Sequence, residues 1–106
     1  MKDFVEAGLK LDTEKPPVDL LDPYAMEQTA LVLAFGALKY DRHNWRGGIR
    51  YTRLIAAAIR HLWAILRGED KDPESGLPHA AHVMCCAMFL CWMMEHRTDL
   101  DDRWKA

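Results

Sequence analysis

A chain of 106 residues, half of them hydrophobic, with 14 basic and 16 acidic side chains and a formal net charge of −2, is long enough for one core and too short for two. The near balance of charge argues against a general nucleic-acid coat or a polybasic membrane anchor, and without a Gly/Ser-rich or Pro-rich tract the chain lies far from the disordered class. Its three cysteines, Cys85, Cys86 and Cys91, fall in the most apolar stretch and read as reduced core thiols rather than an extracellular disulfide framework.

The first 22 residues have mixed polarity and contain Pro16-Pro17, which removes two backbone donors and disfavours helix before it. They read as an N-terminal arm on a helical domain formed by residues 23–106. Acids at Asp3 and Glu6, with no apolar run of signal-peptide length, point to a cytoplasmic protein.

Asp22-Pro23 is a helix start, because the aspartate can accept from free backbone donors while proline occupies the first turn. The helix is expected to reach about Tyr40, with Leu31, Phe35 and Leu38 on its apolar side and Glu27 at the edge of that side. The run Asp41 to Ile49, with Asn44 and the pair Gly47-Gly48, reads as a loop. A second helix from about Thr52 to Arg67 presents Leu54, Ile55, Ala58, Ile59, Leu62, Ile65 and Leu66 as one broad stripe, bordered by His61. Arg53, Arg60 and Arg67 recur every seven residues along nearly one line of its other side.

The segment from Gly68 to Pro78 breaks the pattern, and Pro78 suits the first turn of a third helix reaching about His96. From Val83 to Met94 this helix is apolar for twelve residues, short of the roughly 20 that span a bilayer, so it reads as buried. His79 and His82, one turn apart, face the same way. The short acidic tail offers Trp104 as a dock onto the body or a partner. The expected architecture is all-α, a small bundle of three main helices completed by oligomerisation, because helices this apolar need more neighbours than one such chain provides.

Two charged regions carry the chemistry. Glu69, Asp70, Asp72 and Glu74 precede the His79/His82 pair, so hard oxygen donors and two ring nitrogens form a pool of metal ligands, and repulsion among the acids would be relieved by Mg²⁺ or Mn²⁺. His61 can join from the second helix. Lys39, Arg46 and Arg60 can bind phosphate oxygens, while His43, Asn44 and Trp45 supply polar contacts and a ring for stacking on a base. A Walker-type phosphate cradle and a dinucleotide-binding Gly-rich turn are both absent from the sequence, so a nucleotide has to sit between helices. On the residues alone, a metal-dependent enzyme, a non-catalytic nucleotide or metal binder, and a helical nucleic-acid or protein-binding module along Arg53, Arg60 and Arg67 all remain open.

The segments Gly36-Ala37-x-Lys39-Tyr40, Asn44-Trp45, Arg60-His61-Leu62 and Asp72-x-Glu74-Ser75-Gly76-x-x-His79-x-x-His82 follow one another in an order that resembles the phage-associated dATP/dGTP diphosphohydrolase family. The likeness covers about residues 16–95. It implies kinship with the MazG-like all-α nucleoside triphosphate pyrophosphohydrolases, which use Mg²⁺ on helix-borne carboxylates and form dimers or tetramers. It further implies hydrolysis of a purine deoxynucleoside triphosphate to monophosphate and pyrophosphate in the host cell cytoplasm, with neither membrane nor nucleic acid as partner. On this basis Glu69, Asp70, Asp72, His79 and His82 are the metal candidates and Glu27, His61 and Asp70 the catalytic ones. Lys39, His43, Asn44, Trp45, Arg46 and Arg60 are the substrate contacts. The sequence departs from the MazG pattern in one respect, since Glu27 has no acid three residues away and the third helix opens on histidines.

Overall fold

A computed structural model of the chain describes residues 15–105. The expected N-terminal arm falls largely outside the described residues.

Helix α1 spans Pro23–Lys39 and starts where local chemistry dictates: Asp22 Oδ2 accepts from the Ala25 N–H at 2.8 Å, with Pro23 in the first turn. A 3₁₀ turn, Asn44–Gly47, leads into α2, Tyr51–Leu66, and a loop over 67–78 leads into α3, His79–His96. Two further 3₁₀ turns lie at Val18–Leu20 and Thr98–Leu100. Among the described residues there is no sheet, only an isolated bridge between Lys71 and Pro78, so the fold is an all-α bundle of three main helices. No described helix is long and apolar enough to cross a membrane.

Both α1 and α2 pack against α3 rather than against each other, and both run antiparallel to it. On the α1 side, Thr29 meets Met84 and Cys85, and Val32 packs on Ala81. On the α2 side, the Tyr51 hydroxyl donates to the Met93 carbonyl at one end, while His61 reaches His79 at the other. The two flanking helices are therefore parallel, and the space between them opens over α3. Among the described residues Tyr51 and Met93 are the largest fully buried side chains, and burial of each such apolar group contributes about 1.5–3 kcal/mol.

The buried faces differ from those expected. In α1 they centre on Thr29 and Val32, while Leu31 and Leu38 are exposed, because the helix is apolar on nearly every side and its pattern does not select one. In α2, Tyr51, Leu54 and Ala64 are buried, whereas Ile59, Leu62 and Leu66 from the broad stripe face outward beside Trp63, since α3 is the helix that packs most extensively on α2 among the described residues. Of the three cysteines only Cys85 is buried; its thiol donates to the Thr29 carbonyl, and burial pushes its pKa up to about 12. Cys91 is exposed.

The tail closes the N-terminal end of α2. Arg50, at the cap position, gives no side-chain cap, and the Asp102 carboxylate takes that role, accepting from the Thr52 N–H at 2.9 Å and from its hydroxyl at 2.6 Å. Trp104 is exposed, so Asp102 rather than the indole fastens the tail. Nearby, Gly48 has φ +113°, and an added Cβ would come within 2.7 Å of Leu100 Cδ1 and 2.8 Å of Arg97 Nη1. Only glycine fits this crossing without strain.

Candidate metal centre and adjoining cleft

The loop between α2 and α3 is built to deliver side chains. Arg67 ends α2, Gly68 takes φ +96°, and the Gly68 and Glu69 N–H groups return to the carbonyls of Ile65 and Ala64. This Schellman closure satisfies helix carbonyls and turns Glu69 back toward the bundle. Asp72 then organises a tight turn: its Oδ2 accepts from the Ser75 N–H at 2.9 Å, and its carbonyl accepts from the Gly76 N–H. Backbone bonds from Asp72 N–H to the Leu77 carbonyl and from His79 N–H to the Asp70 carbonyl draw the two arms of the loop together.

The loop thereby meets α2. His61 Nδ1 lies 2.8 Å from His79 Nδ1, and one ligand atom each from His61, Asp72 and His79 falls within 4.8 Å of the others. His79 is 97% buried by its fold neighbours, leaving 3% exposed, and its Nε2 lies 2.7 Å from Glu69 Oε1. A carboxylate there accepts the Nε2 proton, which leaves Nδ1 as the lone-pair nitrogen aimed at the cluster. His82 stacks on His61 with ring centroids 4.5 Å apart and meets the Ser75 hydroxyl at 2.8 Å, with Asp72 Oδ2 at 3.8 Å.

Burial, reinforced by the charges of His82 and His79, holds His61 below the ordinary imidazole value. Burial likewise lowers His82, against the pull of Asp72. For Asp72, burial raises the carboxyl, but hydrogen bonds from Ser75 and the neighbouring His82 and His61 outweigh it and leave the group below the usual range. A neutral imidazole and an ionised carboxylate are the forms that bind a cation. Two ring nitrogens and one carboxylate oxygen, converging from a helix, a loop and a second helix start, thus fit a divalent ion.

A cleft of about 520 Å³ lies between α1 and α2, lined by Phe35, Trp45 and Phe89 with Lys39, Arg42, Asn44 and Arg53. Among the described residues, His82 belongs to both this lining and the histidine cluster. The cationic wall and the candidate metal centre therefore adjoin at His82.

The sequence candidates divide accordingly. His61, Asp72 and His79 converge, His82 adjoins them, and Glu69 stands behind His79. Asp70 is brought in through its carbonyl, and its side chain is exposed. Glu74 pairs with Lys39 at the cleft edge. Glu27 is exposed on α1, outside the cleft lining and without a hydrogen bond or ion pair among the described residues. Lys39, Asn44 and Trp45 line the cleft, whereas His43, Arg46 and Arg60 do not. Arg46 bonds His43 at 3.0 Å and covers the Trp45 ring at 4.3 Å, and Phe89 stacks on that indole at 4.8 Å. The indole is thus occupied in pinning its loop. Arg42, Tyr40 and Ser75 stand in the basic group or the family motifs without being site candidates, and Arg53 stands only in a basic row; the spacing of Asp72 and Ser75, suited to an Asx turn, is the available signal for the serine.

The family model described as "dATP/dGTP diphosphohydrolase, N-terminal" matches residues 5–103. The chain belongs to this family. A curated relative, named a dATP/dGTP diphosphohydrolase, from Salmonella phage PMBT28 is 43% identical to this family member over 100 residues, covering 93% of the chain. That alignment takes in 34% of the relative, so the chain spans about a third of its length. No solved structure matches the chain.

Proposed function

We propose that this chain forms a metal-dependent site that hydrolyses dATP or dGTP to the monophosphate and pyrophosphate. The observation that carries the reading is the shared position of His82, which joins the cationic cleft to the His61/Asp72/His79 cluster. Family membership and the name of the phage relative support the substrate class.

In this reading Lys39, Arg42 and Arg53 hold the triphosphate oxygens by charge-assisted bonds, with Lys39 exchanging Glu74 for phosphate. Asn44 contacts the nucleoside, and exposed Tyr40 offers the stacking surface that the covered Trp45 lacks. A divalent ion on His61, Asp72 and His79 would polarise phosphoryl oxygens and offset charge on the leaving pyrophosphate. His82, unprotonated at neutral pH because it is buried, takes a proton from the attacking water. The water oxygen bonds to the α-phosphorus as the bridge to the β-phosphorus breaks. Glu27 and Asp70, outside the cleft lining, have no step in this scheme.

The outward strip Ile59, Leu62, Trp63 and Leu66 is the face that a second copy would cover in a homo-oligomer. Light scattering on the parent and a Leu62→Glu variant tests that assignment: a parent already monomeric at working concentration would remove it.

The deciding experiment is product analysis with each common nucleoside triphosphate, in Mg²⁺, in Mn²⁺, in Co²⁺, in Zn²⁺ and in chelator. Metal-dependent dAMP or dGMP with pyrophosphate is the expected result. Orthophosphate release would overturn the proposed bond cleavage, and a folded chain without turnover in any condition would overturn the activity.

A further inference from the structure

We infer that the cluster selects an imidazole-seeking transition ion of the Zn²⁺ and Co²⁺ class in preference to Mg²⁺. The inference rests on the reading that this cluster is the metal centre of the proposed site and adds the identity of its ion.

Few of the hard oxygen donors are free to bind an ion. The sequence offers four acids beside the histidines, enough for a hard oxygen site, but the fold commits most of them elsewhere. Glu69 Oε1 is engaged by His79 Nε2 at 2.7 Å, Glu74 by Lys39, and Asp70 enters through its backbone with its side chain exposed. Among the described residues, Asp72 alone presents a carboxylate to the cluster, and its Oδ2 already accepts from the Ser75 N–H. Mg²⁺ requires near-octahedral oxygen coordination and is poorly served by one such carboxylate between two rings.

The nitrogens point the other way. His61 Nδ1 and His79 Nδ1 lie 2.8 Å apart, so with the His79 lone pair inward the space between them takes either a proton carried by His61 Nδ1 or a cation that both rings ligate. The Glu69 contact fixes the His79 tautomer with Nδ1 inward, the orienting role that carboxylates play behind histidine ligands of zinc. Two imidazoles and one carboxylate suit zinc and its neighbours, and three protein donors leave coordination positions for water or phosphate.

The test uses the full chain, stripped of metal by chelator and then dialysed. Co²⁺ is titrated while its visible absorption is followed, and Zn²⁺ and Mg²⁺ are used as competitors. We expect one Co²⁺ per chain, displacement by equimolar Zn²⁺, and no displacement by a hundredfold excess of Mg²⁺. His79→Ala and the milder Asp72→Asn, each checked for helix content by circular dichroism, should lose the absorption, and His43→Ala should keep it. Equal competition by Mg²⁺, or full binding in a folded Asp72→Asn variant, would overturn the inference. Its failure is separable from that of the proposed function: hydrolysis in Mg²⁺ by a chain that takes up no Co²⁺ defeats the ion assignment alone. Tight Co²⁺ binding without turnover of any nucleotide defeats the activity alone.

Discussion

Replacing Glu69 by alanine should weaken metal binding while leaving the bundle folded. The carboxylate lies 2.7 Å from Nε2 of His79, a ring whose side chain is only 4% exposed, so it decides which nitrogen of a buried imidazole carries the proton. Without it, the ring can place its proton on Nδ1, and the lone pair aimed at His61 is lost from part of the population. Removal of such an orienting partner costs about 10–100-fold in affinity, or roughly 1.4–2.8 kcal/mol. Glu69 itself is 51% exposed, so water can replace part of the bond, which places the expected loss near the tenfold end. Glu69→Gln keeps an acceptor but no charge and should fall between parent and alanine. Glu74→Ala, whose carboxylate faces Lys39, should bind metal like the parent. Competition between the protein and a coloured chelator for Co²⁺ measures all four proteins, and parent-like affinity in Glu69→Ala would refute the tautomer argument.

Other consequences concern stability. Gly48→Ala places a side chain at φ +113° against Leu100 and Arg97, and should cost about 1–3 kcal/mol, read as a lower thermal midpoint. Asp102→Ala removes both acceptors from the start of α2 and should lower the urea midpoint at pH 7 without changing the slope; an unchanged midpoint would show that the tail is not the cap. Acid should destabilise the fold through the histidines. His61 and His82 have folded values below 6.5, so as pH falls through that value the unfolded chain takes up protons first. Their contribution is present above about pH 6.5 and declines below it. The lowered carboxyl of Asp72 adds a second loss below the ordinary aspartate value of 3.8. Urea midpoints at pH 7.5, 5.5 and 3.5 should descend in that order, and a rise on acidification would contradict the burial of neutral imidazoles.

The parts legible in the sequence are those whose cause is local. Asp22 and Pro23 start α1 through atoms within one turn, and the breaks at Gly47-Gly48 and Gly68 follow from backbone freedom, so three helices could be placed almost to their ends. Their faces were harder to read. A helix apolar all round has no preferred side, and the choice of Val32 over Leu31 in α1 is made by α3. The histidine pair was visible as a spacing and His61 as a possible addition, but that His61 rather than His82 is the ring at bonding distance from His79 follows from the antiparallel packing of α2 on α3. Of the four acids, the selection of Asp72 depends on a Schellman closure followed by an Asx turn, two backbone events that together decide which carboxylate points inward. Trp45 shows the converse. Its type suggested a base platform, yet Arg46 and Phe89 already cover its ring.

If the loop over 67–78 is what positions the site, then two glycine substitutions of similar energetic cost should have different functional consequences. Gly68 and Gly48 both have positive φ, and they lie at opposite ends of α2. At Gly68 an added Cβ would meet nothing within 4 Å, so Gly68→Ala incurs only the backbone penalty of about 1–2 kcal/mol. The chain can relieve that penalty by leaving φ +96°, and doing so breaks the return of the Glu69 N–H to the Ala64 carbonyl and swings Glu69 from His79. Relief at Gly48 instead disturbs Leu100 and Arg97 at the N-terminal end of α2, whose first residue, Tyr51, is roughly 15 Å along the helix from His61. Gly68→Ala should therefore lose both stability and metal affinity, whereas Gly48→Ala should lose stability and keep metal affinity once folded. Equal metal binding by the two folded variants would mean that His61 and His79 hold their geometry by helix packing alone, with the Schellman closure serving only to end α2.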